Sequence, residues 1–539
     1  MRHKRDEAFQ DLARLNRSFT RAVLTTSLAV LGGCVVLGPD YEEPSPEWLA
    51  GWQPELYGQL LEGDKSGDEG SSAELTPEDL KRWWRRFDDP ALNSLVEEVQ
   101  SVNRSLQVAG LRVLEARASL GAASALRYPQ QQVVSGSASY VDQRSRGGIL
   151  PDRDDSLGAA QIGLSVGWEL DFWGRFQRSI EAADAAFLAS VANERDLQVL
   201  LIAQTAEIYY GYRTTQLLIG IAQENARIQK RSLEITTRLF ESGQQSELDL
   251  QQARTQYLST EATIPALEAD LIQLRNALAL LLARPPGPIP ALAGSTPSLP
   301  VVDPVSLRAV PAQLLLRRPD VRASAWTVAV QSAQIGIAQA DLYPSISLLG
   351  GFGWSGDTLD STADVTQLFA GPGIRWNVFD YGLIRNNVRV QDARLQQLLQ
   401  GFDNTLLQAA REIDDAAIDV VKTAERKVIL AESEEAARRA LEIANKRYQE
   451  GYASFQRVLD AQRALAAQMQ NRLANEGAHV ATVVALYKAL GGGWSSASSM
   501  EELVPEDIRE QLRERTDWGD MLESPLPTVL DAATTGEKK

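Results

Sequence analysis

The passage Ile162-Gly163-Leu164-Ser165-Val166-Gly167-Trp168-Glu169-Leu170-Asp171-Phe172-Trp173-Gly174-Arg175 decides the fold, because a two-residue alternation passes directly into a long helix-forming stretch. Ile162, Leu164, Val166, Trp168 and Leu170 share one face and Gly163, Ser165, Gly167 and Glu169 the other, the pattern of a strand with an apolar and a polar side. The passage then returns. Trp168, Gly174, Gly243, Ser246 and Ala253 recur 208 residues later as Trp376, Gly382, Gly451, Ser454 and Ala461, and Phe240 recurs as Tyr448. Upstream, Ala118, Gly121, Ala123 and Tyr128-Pro129 recur 215 residues later as Ala333, Gly336, Ala338 and Tyr343-Pro344. The difference of seven residues is expected in the first outer loop. A tandem duplication follows, each repeat being one structural unit.

Each repeat carries two readable strands. Val133, Ser135, Ser137, Ser139 and Val141 alternate with Val134, Gly136, Ala138 and Tyr140 ahead of the strand around Trp168, and the second repeat has its pair over Ser345–Trp354 and Gln367–Phe379. Polar loops, Asp142–Leu157 and Ser355–Thr366, join them. A soluble sandwich hairpin would alternate in the same way. In lipid, however, every strand edge must be paired, and four strands cannot close a barrel. A membrane barrel from these hairpins must therefore be shared between chains, and three protomers supply twelve strands.

The rest of each repeat reads as helix. No proline interrupts the chain between Pro151 and Pro265 or between Gly382 and Val504, and both stretches are rich in Ala, Leu, Gln, Glu and Arg. Arg175–Phe240 and Leu383–Tyr448 are expected as continuous helices, each reaching ~100 Å at 1.5 Å per residue. Ser246–Ala283 with Leu95–Arg127, and Ser454–Leu490 with Val321–Leu342, are the shorter return legs. An ordinary antiparallel coiled coil is the plain alternative, but Ala182, Ala183, Ala185, Ala186 and Ala189 suit close, curved packing, and the strands join the helices directly.

Composition leaves little for catalysis. There is one Cys and there are two His, His3 and His479, so a zinc cluster, a Cys/His dyad and a Ser-His-Asp triad are not expected, nor is any cofactor. Arg2, Lys4, Arg5, Arg14, Arg17 and Arg21 precede a short apolar run, Ala22–Leu31, too short to span a bilayer, and then Leu31-Gly32-Gly33-Cys34. Small residues before the only cysteine resemble a bacterial lipoprotein signal, with Cys34 the lipidated first residue of the mature chain; a free thiol in an ordinary segment is the alternative. Val35, where Asp would retain a lipoprotein at the inner membrane, implies passage to the outer membrane. Without residues 1–33 the chain holds 48 basic and 68 acidic side chains, which disfavours nucleic acid as a partner. Part of that excess lies in residues 501–539, with eleven acids against five bases and three prolines.

Trp83-Trp84 with Phe87, Asp89-Pro90 and Leu92, then Asn103 and Leu106, the paired Tyr-Pro, Arg317-Arg318-Pro319-Asp320, Lys446-Arg447-Tyr448 with Gly451, Leu459-Asp460-Ala461-Gln462 and Gly491-Gly492-Gly493-Trp494 together resemble the outer membrane factor family, the TolC-like efflux proteins. The likeness covers roughly residues 36–494 and is greatest to the lipoprotein branch serving resistance-nodulation-division pumps. It implies an α+β membrane protein of TolC-like tandem-repeat fold: a homotrimer with a twelve-stranded outer-membrane β-barrel, four strands per protomer, continued by a long periplasmic α-helical barrel with an equatorial collar. It also implies three partners beyond a second and third copy: a periplasmic adaptor, an inner-membrane resistance-nodulation-division transporter and outer-membrane lipid. The chain then divides into a signal peptide, 1–33; a lipidated N-terminal and collar segment, 34–94; a first repeat, 95–283; a Pro-rich collar linker, 284–320; a second repeat, 321–494; and an acidic tail, 495–539.

Function falls on surfaces rather than on a reaction. Gly243 and Gly451 permit the turns at the helix ends, and Ser246 and Ser454 are expected to cap the helices that follow. The resemblance implies that these four residues border the adaptor contact. Asp249 and Asp460 stand just past the tips, where three inward carboxylates per ring would attract cations at a constriction. Arg457 stands where some family members carry a second acid, so an Arg457–Asp460 ion pair and a solvated helix face are alternatives to a gate. An exit duct for small toxic compounds is the expected function. A duct for secreted polypeptides and a lipid-anchored coiled-coil scaffold are the alternatives.

Overall fold

The computed structural model describes residues 35–52, 80–145, 153–293, 297–301, 312–356 and 365–527. These residues fall into two compact units, and each unit draws on both repeats. The first contains 116–187 and 326–400 with the N-terminal segment up to Pro44; the second contains 45–115, 188–325 and the chain from Gly401 onward.

The first unit is built on one antiparallel sheet of four strands in sequence order: β1 (Gln131–Ser145), β2 (Arg153–Leu170), β3 (Ser345–Gly356) and β4 (Val365–Arg375). β2 and β3 join the repeats, with Leu164 opposite Phe352 and Trp168 opposite Leu348. In β1–β2, Leu164 lies opposite Val134 and Ala160 opposite Ala138, and in β3–β4 Ile346 lies opposite Ile374. One face therefore carries Val134, Ile162, Leu164, Phe352, Leu368 and Ile374, all exposed in the single chain.

The ladders correct the sequence-based register. Gly167 and Arg375 are equivalent at the 208-residue offset, and they pair with Gln131 and Ser345, which are 214 apart rather than 215. One of the seven extra residues thus lies before β1, not in the outer loop. The cause is local. Continuing the β1–β2 ladder places Pro129, which has no N–H, opposite Glu169. The side-chain amide of Gln130 takes over, its Oε1 accepting from Glu169 N at 2.7 Å and its Nε2 donating to Glu169 O at 3.1 Å. The step turns Val134 and Tyr140 to the apolar face.

The N-terminal segment lies along the junction between β2 and the helix α3 (Arg175–Glu241). Val35 N donates to Phe172 O and Leu37 N to Trp173 O, at 3.1 and 3.2 Å. Arg178, 5% exposed in its side chain, donates to Leu37 O, Gly38 O and the Asp40 carboxylate. Gly336 sits on α7 (Pro319–Ala340), and a Cβ there would come within 2.5 Å of Leu37 O. Trp173 stacks on Tyr343 with ring centroids 4.7 Å apart. Asn386, the second-repeat counterpart of Arg178, has no guanidinium with which to hold such a strap.

The helices are the length expected: α3 and α8 (Leu383–Gln449) have 67 residues each, and α9 (Phe455–Ala489) has 35. The return legs of the first repeat are broken. α1 (Pro90–Val102) stops at Asn103, whose Oδ1 accepts from Ser105 N and Leu106 N to start α2 (Arg104–Ala125). α4 (Glu247–Glu261) gives way at Ala262 to α5 (Thr263–Leu281), in whose first turn Pro265 removes a donor. The remaining helices are α6 (Ala312–Arg317), α10 (Met500–Leu503) and α11 (Glu506–Arg515). Among the described residues no helix is long and apolar enough to cross a membrane.

The second unit has an aromatic core made by the Trp83-Trp84 motif. Trp83 is fully buried, stacks on Tyr487 at 5.1 Å and meets Trp84 and Phe87 edge-on. Asp89 caps α1 through Oδ1 and accepts from the Tyr209 hydroxyl through Oδ2 at 2.8 Å. Burial pushes that hydroxyl's pKa up to about 12, against the hydrogen bond from Arg213.

Gly336→Ala tests the strap. The added methyl meets backbone and Arg178, and the expected loss is about 1–3 kcal/mol, as for other overpacked sites. Thermal unfolding together with protease sensitivity at residues 35–40 checks it; unchanged values for both would show that the strap does not contribute to stability.

Candidate functional site

The two turns between long helices lie in the second unit. After α3 the chain reverses through Gly243, φ +74°, and after α8 through Gly451, φ +79°; no atom stands within 4 Å of a Cβ built at either. Positive φ needs glycine here, and the open space leaves both turns as surface. The helix ends are closed by Gly243 N to Phe240 O and Gly451 N to Tyr448 O.

The serines differ. Ser246 Oγ accepts from Asp249 N at 3.2 Å and donates to Asp249 Oδ2 at 2.6 Å, a reciprocal cap on α4. Ser454 occupies the corresponding position before α9 with an extended backbone, but its hydroxyl makes no capping bond, which corrects the expectation of two equal caps. Arg457 N donates to Ser454 O at 3.1 Å instead of to the hydroxyl, and Arg457, standing where Asp249 stands in the first repeat, has no carboxylate to hold that hydroxyl toward the helix.

Beneath the turns, Phe455, Val458 and Leu459 of α9 pack with Ala253 of α4, and Leu233, Leu441, Ala444 and Tyr448 close around them. Gln245 Nε2 donates to Tyr448 Oη at 2.7 Å, tying the first turn to the end of α8. The reciprocal pair is Ala453 and Phe240, which has no such bond to make, so the two tips are chemically unequal. Sequence reasoning passed over Gln245, although the Phe240/Tyr448 difference in the repeat was its signal.

Asp249 is half-buried and engaged by Ser246, whereas Asp460 is exposed and accepts from Gln456 at 2.9 Å and from Arg463 at 3.2 Å. The expected alternative of an Arg457–Asp460 pair is not formed. An acid preceding a base by one turn complements the helix dipole, and Asp460–Arg463 has that order while Arg457–Asp460 reverses it. Arg463 also bonds to Gln256 of α4, which fixes it beside Asp460. Arg457 is exposed. Cys34 lies outside the described residues.

Farther from the tips, Arg318 is buried and donates to Asp320, Glu412 and Ala489 O, each at 2.7–3.1 Å. Asp196 of α3 faces this group. Burial, and then the negative charge of Asp320, push its pKa up to about 6, against the pull of Arg318. Among the described residues, no three His, Cys, Asp or Glu side chains are grouped to hold a metal ion.

Comparison with known proteins gives a consistent result. The family model described as outer membrane efflux protein matches residues 95–284 and 310–492. The solvent efflux pump outer membrane protein SrpC of Pseudomonas putida is 31% identical over 482 residues, covering 87% of this chain and 97% of SrpC. The cation efflux system protein CusC of Escherichia coli K12 is 29% identical, covering 86% and 97%. The solved structure of the outer-membrane channel OprN superposes with a TM-score of 0.73 at 32% identity, covering 85% of this chain and 99% of OprN.

Two substitutions test the local chemistry. Ser246→Ala is expected to cost about 1 kcal/mol of local stability and Ser454→Ala a few tenths; hydrogen exchange over residues 243–250 and 451–458 distinguishes them, and equal effects would contradict the asymmetry. For Asp196 the folded pKa is about 6 against 3.8 for the free side chain, so its contribution to stability is full below 3.8 and is lost as pH rises through about 6. Asp196→Asn should therefore stabilise the protein above that range and have no such effect below it. A thermal-unfolding series against pH reads this directly, and a gain confined to acid pH would reverse the assignment.

Proposed function

This chain belongs to the outer membrane efflux protein family and is an efflux channel of the bacterial outer membrane; from that premise we propose that three copies form a passive exit duct for small toxic compounds. The observation that carries the proposal is the open four-stranded sheet, with an exposed apolar face and free edges at β1 and β4. Its edges require partners in lipid, and three copies supply twelve strands. The helices α3 and α8 continue the hairpins into the periplasm as a helical barrel, and Cys34 carries a lipid anchor at the head of the strap formed by residues 35–40.

A duct needs an energised pump behind it. In this reading a periplasmic adaptor docks on the exposed turns around Gly243, Ser246, Gly451 and Ser454, with an inner-membrane resistance-nodulation-division transporter beyond. The unequal tips give two kinds of adaptor groove per protomer. Asp249 and Asp460 line the periplasmic entrance as rings of three carboxylates, with Arg457 beside them, and the Arg463–Gln256 bond between α9 and α4 is the one that a relative movement of these helices breaks. SrpC is named for solvents and CusC for cations, so the cargo class of small toxic compounds fits both relatives.

The test uses a deletion strain complemented with variants. Wild type should restore tolerance to solvents, metals or drugs without changing the secreted-protein pattern. Gly243→Trp/Gly451→Trp should abolish tolerance at unchanged trimer level, and Asp460→Ala should alter the cation preference of the reconstituted channel. Full tolerance with both tryptophans in place would remove the tips from the adaptor contact, and an unaltered preference would remove Asp460 from the entrance.

A further inference from the structure

We propose that a second copy of this chain closes the sheet in one defined register, with β4 antiparallel to β1 of the neighbouring protomer so that Trp376 faces Val134, Ile374 faces Gly136 and Val378 faces Gln132. The inference rests on the closed-barrel reading above and adds what that reading lacks, the residues that meet at the interface.

The β2–β3 ladder is the template, because it already joins the end of one repeat to the start of the next. Leu170 pairs with Ile346, Trp168 with Leu348 and Val166 with Gly350. On the β2 side, the 208-residue offset carries Leu170, Trp168 and Val166 to Val378, Trp376 and Ile374. On the β3 side, equivalence is set by the ladders: Gln131 stands to Gly167 as Ser345 stands to Arg375. Ile346, Leu348 and Gly350 therefore correspond to Gln132, Val134 and Gly136. Applying the same relation between chains instead of within one gives the stated pairs.

The faces agree in this register and not in the one-residue slip, while the repeat relation fixes it against slips of two. Val134 and Tyr140, each 72% exposed in the single chain, lie on the apolar side with Leu164, and Ile374, 73% exposed, lies on that side of β4. The register implied by the Tyr-Pro offset alone would set Ile374 opposite Ser135 and place neighbouring side chains on opposite faces of the sheet. Pairing also gives ladder partners to a stretch that the described ladders leave without them, Trp376 being held within the chain through its indole, which donates to Leu342 O at 3.0 Å. The β3–β4 ladder stops at Arg375, although Trp376 and Val378 continue the alternation and are more than half exposed. Against the neighbour's β1 the strand continues to Val378, as β2 continues to Leu170.

The junction beyond the strand follows. Tyr381 is fully exposed and Tyr128 is 70% exposed. They correspond to Trp173 and Tyr343, which stack within the chain. Transfer of the relation sets Tyr381 against Tyr128 of the neighbouring protomer.

Cysteine pairs test the register in the full-length protein in membranes. Directly opposed antiparallel residues have Cβ atoms roughly 4.5–5.5 Å apart and adjacent pairs alternate in closeness, so two in-register pairs are used, Ile374→Cys with Gly136→Cys and Arg375→Cys with Ser135→Cys. The slipped pair, Ile374→Cys with Ser135→Cys, is the comparison, and single variants control for Cys34. Oxidation should convert at least one in-register pair into reducible, covalently linked dimers and trimers, leaving the singles and the slipped pair monomeric after boiling. Cross-linking of the slipped pair would overturn the register. So would failure of both in-register pairs while native mass spectrometry still shows trimers, an outcome that leaves the duct reading intact. Wild-type protein found only as monomer would overturn both.

Discussion

A sheet edge in hydrocarbon has no water to satisfy its N–H and C=O groups, and each unpaired group costs several kcal/mol. That constraint governs this chain. β1 and β4 are the ends of a sheet too narrow to close on itself, and one side of it is apolar from edge to edge. A single protomer therefore leaves both edges unpaired in a membrane, and the shared barrel proposed above supplies their partners. Each hairpin is followed in the chain by a helix of 67 residues, so the hairpins fix where the long helices of the two repeats begin.

The duplication supplies near-equivalent parts, and the departures from equivalence assign them different work. Arg178 holds the N-terminal strap against the first strand–helix junction, while Asn386 leaves the second free. Each chain has one N-terminus, so only one junction in two needs the guanidinium. At the turns, Gln245–Tyr448 is a hydrogen bond, whereas the repeat-equivalent residues, Ala453 and Phe240, have no polar side-chain group with which to make one. Ser246 accepts from Asp249 N and is held by the Asp249 carboxylate, whereas Arg457 N donates to the Ser454 carbonyl and leaves that hydroxyl out of the cap. The two turns of one chain are therefore unequal surfaces.

Much of this was legible in the sequence, and for physical reasons. A period of two, a proline-free stretch and an exact spacing between Trp, Gly and Ser are set by local geometry, so the strands, long helices and turns could be located without tertiary information. What escaped depended on tertiary partners. The one-residue step at Gln130 arises because Pro129 cannot donate to Glu169 and a side chain takes its place, which no periodicity encodes. The strap over 35–40 has no alternation of its own and is recognised only by the residues that receive it, Arg178 and Gly336. Asp460 turns to Arg463 rather than Arg457 because Gln256, distant in sequence, holds that guanidinium. The functional roles of the tip and entrance residues came from the family resemblance; geometry supplies only their exposure and their bonds.

The central claim is that the sheet becomes a transmembrane pore only when copies share it. Native mass spectrometry of detergent-solubilised protein, followed by single-channel recording of the same sample in planar bilayers, tests it most directly. A trimer that opens discrete conductance steps, with monomer fractions silent, is the expected result. Conductance from a monomer, or a trimer that remains soluble without detergent and never conducts, would contradict it.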